Sequence, residues 1–173
     1  MAHSRIIQLK SERMNDLNSS EIVTSDDYVQ NDCFIGPVAD YVSDACDRRE
    51  DFYWLISWLK NVLGEDHERY FSWHYAEVDT NMPEAYIVFH PAFKKAYIQK
   101  QYDVFIKQAG VLTLENFISL NYIRQLEDAI CDKYSFYIAE DAFNTMPLDT
   151  FIRSLTDNEA CKYWLWATVD YHY

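Results

Sequence analysis

Tyr70-Phe71-Ser72-Trp73-His74-Tyr75, then Asp79-Thr80-Asn81-Met82-Pro83, then Ala85-Tyr86-Ile87-Val88-Phe89 is the stretch that decides the fold class. Its first segment alternates, with Phe71, Trp73 and Tyr75 on one side and Ser72 and His74 on the other. Its last is a continuous apolar run, and the residues between are turn formers, so the spacing predicts two strands joined as a hairpin. Strands that follow one another this closely do not fit a strict βαβ repeat. They point to an α+β domain with a mainly antiparallel sheet.

Working outward, Asp47 and Glu50 have the spacing of a capping box, in which the first carboxylate accepts a backbone N–H of the opening turn. Phe52, Leu55, Ile56, Leu59, Val62 and Leu63 then share one helical face, and Gly64 supplies the stop. Upstream, Pro37 is placed to open a helix running through Tyr41, Val42, Ala45 and Cys46. Residues 11–23 read as a long polar loop, and Arg5-Ile6-Ile7-Gln8-Leu9 as a first strand. Downstream, Pro91 opens a helix that Gly110 closes, and Thr113 caps another through Phe117, Leu120, Ile123, Leu126 and Ile130. Residues 134–139 alternate as a strand, 147–155 form a short helix, and 161–169 a closing strand. The expected molecule is one domain over residues 1–173, with four to five short strands packed against about five helices.

A chain of 173 residues fits one domain. Hydrophobic residues at 49% and aromatics at 17% exclude disorder throughout, because disordered chains are poor in large apolar side chains. Cys33, Cys46, Cys131 and Cys161 are widely spaced, residues 1–10 hold no apolar leader, and no 18-residue apolar run occurs. These features predict four reduced thiols, mostly in the core, and a cytoplasmic location.

Catalytic signatures are missing. Gly36, Gly64 and Gly110 stand alone, which excludes both the P-loop and the dinucleotide fingerprint, since each needs clustered glycines to bring backbone N–H groups to a phosphate. The five histidines make no HxxxH or HxH pair, so no metal and no cofactor is expected; only His74 and His90 would meet, across the hairpin. There is no GxSxG elbow. Asp26-Asp27 and Glu140-Asp141 carry no sign of the burial that acid–base work requires. The chain therefore reads as a non-enzyme.

Charge says more. The net charge is −13, which disfavours direct binding to nucleic acid and to anionic membranes. No Lys or Arg occurs between Arg13 and Arg48, whereas Asp16, Glu21, Asp26, Asp27, Asp32, Asp40, Asp44 and Asp47 all fall there. On the proposed helix after Pro37, Asp40, Asp44 and Asp47 would share one face, and Tyr28 and Tyr41 lie directly beside acids. Carboxylates interleaved with tyrosines suit a basic cleft, the acids meeting Arg and Lys and the rings giving rigid contact area. The expected partner-binding surface is thus Asp26, Asp27, Tyr28, Asp32, Asp40, Tyr41, Asp44 and Asp47. The expected partner is a basic protein, such as a nuclease or nucleic-acid-binding protein, blocked by imitation of phosphates.

The plain alternative is a solvated acidic face. The lysines at 94, 95, 100 and 107 read as a solvated helix face in the same way. In size, acidity and lack of catalytic motifs the chain resembles the small acidic accessory proteins of phages and mobile elements, including anti-restriction and anti-CRISPR inhibitors and nuclease immunity proteins. No motif is shared, so the resemblance assigns no residue a role. A small enzyme with a dispersed site and a plain assembly subunit remain as readings from other classes.

Overall fold

The computed structural model describes residues 3–29, 41–44, 47–77, 84–117, 120–128 and 136–172, without the side chains of 120, 122, 127 and 128. The strands are β1 (His3–Lys10), β2 (Tyr41–Ser43), β3 (Phe71–Ala76), β4 (Glu84–Phe89), β5 (Tyr137–Ala139), β6 (Thr145–Pro147) and β7 (Cys161–His172). The helices are α1 (Ser25–Val29), α2 (Arg48–Leu63), α3 (Phe93–Ala109), α4 (Leu120–Asp128) and α5 (Leu148–Ser154), with a 3₁₀ turn at Glu65–Arg69.

The α+β class holds, but the sheet differs from the expectation of a mainly antiparallel sheet of four to five strands. It is a seven-stranded mixed sheet in the order β3-β4-β7-β1-β5-β6, with β2 also on β7. β1 and β5 run parallel, with Ile6 opposite Tyr137 and Gln8 opposite Ala139. The extra strands are β2 and β6, each three residues long and too short to show a period of two. The parallel pair joins segments about 130 residues apart, which no local pattern announces.

Residues 41–43, expected in a helix, are β2. They pair antiparallel with β7, Tyr41 opposite His172 and Ser43 opposite Asp170, and this distant ladder overrides the local helical spacing. The hairpin is present, with Phe71 opposite Phe89 and Tyr75 opposite Ala85. The capped helix is present as well: Asp47 Oδ1 accepts the N–H groups of Arg49 at 2.9 Å and Glu50 at 3.2 Å, and Gly64 sits at φ 78°.

One sheet face packs on α2, α3 and α5. Its core joins Ile7, Leu9, Ile87, Phe89, Ile138 and Leu165 to Phe52, Leu55, Ile56, Phe93, Tyr97 and Ile152. The opposite face carries Ile6, Tyr137, Val169 and Tyr171, covered by Val23 and Tyr28. Residues 11–23 are irregular, as expected, but they are tied down. The buried Gln8 side chain donates to the Glu21 carbonyl at 2.6 Å and accepts from Val23 N at 3.1 Å.

β7 does not alternate uniformly. Ile7 pairs with Thr168 and Leu9 with Leu165, so two residues of β1 span three of β7. This bulge shifts the side-chain phase. Cys161, Tyr163 and Leu165 face the helices, whereas Ala167, Val169 and Tyr171 face away from them. Asp170 and His172 are thereby turned to the helix side.

Candidate functional site

The expected acidic surface is only partly assembled. Asp32 and Asp40 lie outside the described residues. Tyr28 is 4% exposed and its hydroxyl hydrogen-bonds Thr145 Oγ1 at 3.0 Å, so it is a core residue and not available to a partner. The idea that Asp44 and Asp47 share a face of one helix is corrected too: Asp44 follows β2, and Asp47 caps α2.

What the fold does with the remaining acids is more specific than a helix face. Asp44 grips the first residue of α1, its Oδ1 accepting Ser25 N and its Oδ2 accepting Ser25 Oγ, both at 2.7 Å. Asp27 reaches back to accept Thr24 N at 2.8 Å and Thr24 Oγ1 at 3.0 Å, the reciprocal half of a capping arrangement. Each carboxylate meets backbone N–H groups at a helix start, where the local dipole favours negative charge. The Asp44–Ser25 clamp brings α1, with exposed Asp26, against the end of β2, and Asp47 follows three residues later. Tyr41 stands at the same end of the molecule, 59% exposed. The result is an acidic rim of Asp26, Asp27, Asp44 and Asp47 with one exposed tyrosine.

Directly behind that rim lies a group that the sequence reading missed. Arg5 on β1 bridges two buried carboxylates, its Nε donating to Asp51 on α2 and its Nη1 to Asp170 on β7. Asp51 is 2% exposed and its Oδ2 has no hydrogen-bond partner among the described residues. His3 Nδ1 lies 3.0 Å from Asp170 Oδ2, the His3 and His172 rings meet edge to face at 4.7 Å, and the Arg5 guanidinium lies 5.3 Å from the Trp54 ring. A signal for part of this was present: Asp51 precedes Leu55 by four and Leu59 by eight, which places a carboxylate on the apolar stripe of α2. Asp170 gave no such signal, because uniform alternation through 161–169 puts it on the other face.

Could the cluster work as an active site? The two described cavities, of about 200 and 570 Å³, are lined by none of Arg5, Asp51, Asp170 or His172. Its groups are bonded to one another in the manner of a buried ion pair that fixes α2 on the sheet.

The remaining candidates are ordinary. His74 and His90 do not face each other; His74 stacks on Tyr86 at 5.2 Å and His90 Nε2 lies 3.2 Å from Ser72 Oγ. Among the described residues no group of three or more His, Cys, Asp or Glu is placed to hold a metal ion, and no helix is long and apolar enough to cross a membrane. Cys161 is a free, half-buried thiol packed on the core, and the other three cysteines lie outside the described residues. Comparison with protein-family models, curated proteins and solved structures finds no match to this chain.

Proposed function

We propose that this protein is a stoichiometric binding protein that blocks a basic nucleic-acid-binding protein, such as a nuclease, with its acidic rim. The supporting observation is the Asp44–Ser25 clamp, which ties the first residue of α1 to the end of β2, with Asp47, the cap of α2, three residues further along the chain. Exposed Asp26 then stands beside helix-capping carboxylates on a chain that carries a net −13. Arg5, Lys10, Arg13, Arg49 and Lys94 all have acidic partners elsewhere, on Asp51 and Asp170, Glu21, Glu84, Glu77 and Asp157. A field of this sign steers a basic partner into contact and raises its association rate by about 10–10³-fold at low salt.

The test is retention of binding partners on the immobilised chain, compared with an Asp26→Lys/Tyr41→Ala variant. Both substituted side chains are exposed, so the fold is unaffected. The expected result is capture of a basic nucleic-acid-binding protein that duplex DNA displaces, that high salt releases and that the variant fails to hold. Equal capture by the variant, or capture indifferent to DNA, overturns the proposal.

A further inference from the structure

Helix α3 changes character halfway along. Its first half buries Phe93 and Tyr97, with Phe93 packed on Phe71 and Phe89. Its second half has no fully buried side chain, although Phe105 is half-buried and α4 packs against α3. Yet Tyr102, Val104, Phe105 and Ile106 occupy four of five successive positions, and at about 100° per residue they span a broad arc of the helix, with Lys100, Asp103 and Lys107 on the remainder. So broad an apolar arc is normally covered by other elements. Here Tyr102, Val104 and Ile106 are 57%, 46% and 47% exposed.

Alongside this half, α2 and α3 leave an open groove of about 570 Å³. Trp58 and Val62 form its α2 side and Val104 its apolar α3 side. Trp58 also holds a buried indole N–H without a hydrogen-bond partner among the described residues. Lys100 and Lys107 line the α3 wall seven residues apart, about 10.5 Å at 1.5 Å per residue. The acid between them, Asp103, is occupied by Gln99 Nε2 at 2.8 Å.

We propose that this groove is the docking site for one amphipathic helix of a partner protein. Its apolar stripe lies on Trp58, Val62 and Val104, and acidic residues two turns apart on its flank meet Lys100 and Lys107. Helix-in-groove recognition uses anchors at this spacing, and the lysines set the sign of the flank. A second copy of the chain fits poorly: a two-fold packing of α3 centred between Asp103 and Val104 sets Lys100 against Lys107. The surface is separate from the acidic rim, since Trp58 stands eleven residues beyond Asp47, about 16 Å along α2.

The experiment titrates the chain against two fluorescein-labelled 18-residue model helices, read by anisotropy. Both carry leucines at three- and four-residue spacing; one has glutamates seven apart on its flank and the other lysines. The glutamate peptide is expected to bind at least tenfold more tightly. Val104→Asp should weaken it at least tenfold with no change in circular dichroism or melting, and Lys100→Glu/Lys107→Glu should reverse the peptide preference. The proposal is overturned if neither peptide binds, if both bind equally, or if Val104→Asp has no effect. It is also overturned if the chain sediments as a dimer that Val104→Asp converts to monomer, which makes a second copy the occupant. Saturation by anilinonaphthalene sulfonate that neither peptide displaces overturns it in favour of a small anionic amphiphile.

Discussion

Asp51 and Asp170 on one hand, and Asp26, Asp27, Asp44 and Asp47 on the other, are the same side chain in opposite surroundings at one end of the molecule. The first two are buried and share the Arg5 guanidinium, a particular cation brought to them by the fold. The others lie at or near the surface, where three of them accept backbone N–H groups at helix starts. Such bonds need no cation, because the helix dipole and water share the stabilisation. The difference teaches how Asp27, Asp44 and Asp47 sit in a stretch without one Lys or Arg between Arg13 and Arg48: local backbone donors do the work of counter-charges.

Breaking the buried side of this comparison should have the largest effect. Arg5→Ala leaves two carboxylates without their cation, and a cost of about 3–5 kcal/mol in urea unfolding is expected. Replacing Arg5, Asp51 and Asp170 together by apolar residues of similar volume should restore most of that loss, because no charge is then left buried. A cost for Arg5→Ala below about 1 kcal/mol would mean that the pair does not fix α2 to the sheet.

The surface side predicts smaller numbers. Asp47→Ala removes the cap of α2 and should cost about 1 kcal/mol. Asp26→Ala, which caps nothing, should stay within about 0.5 kcal/mol. Urea midpoints for the two variants that coincide would contradict the division between capping and solvated acids.

The smallest effect concerns a phenol, and it extends the contrast to a group that is neutral when folded. Burial, aided by the nearby Cys161 and Glu140, pushes the Tyr163 hydroxyl above its ordinary value. A raised folded value means that the unfolded chain gives up this proton first. The stability involved is therefore complete below about pH 10 and is lost as pH rises through the folded value. Tyr163→Phe should flatten the decline of stability above pH 10 and leave the melting curve at pH 7 nearly unchanged. An unaltered alkaline slope would show that Tyr163 titrates alike in both states.

Legibility from sequence followed the range of the interactions involved. The helix from Arg48 to Leu63 was readable because Asp47, the apolar stripe and Gly64 all act within one turn of the residues they govern. The hairpin of β3 and β4 was readable for a similar reason. Tyr41–Ser43 was misread because residues 170–172 hold it as a strand, and the parallel pairing of Ile6 with Tyr137 left no local trace. At the rim, sequence supplied the density of acids but not the clamp of Asp44 on Ser25 or the burial of Tyr28. Asp170 stayed hidden because an irregularity two to three residues away reassigns its face.

The central ladder of the sheet couples residues 3–10 to residues 161–172. A nascent chain therefore holds β1 without its antiparallel neighbour until residues 161–172 have been made, and only then do β1, β2 and β4 acquire the strand that joins them. Contacts this distant close slowly. During that interval Ile6, Ile7 and Leu9 lie uncovered, so the hazard for this molecule in a growing cell is premature pairing of its first strand with another chain.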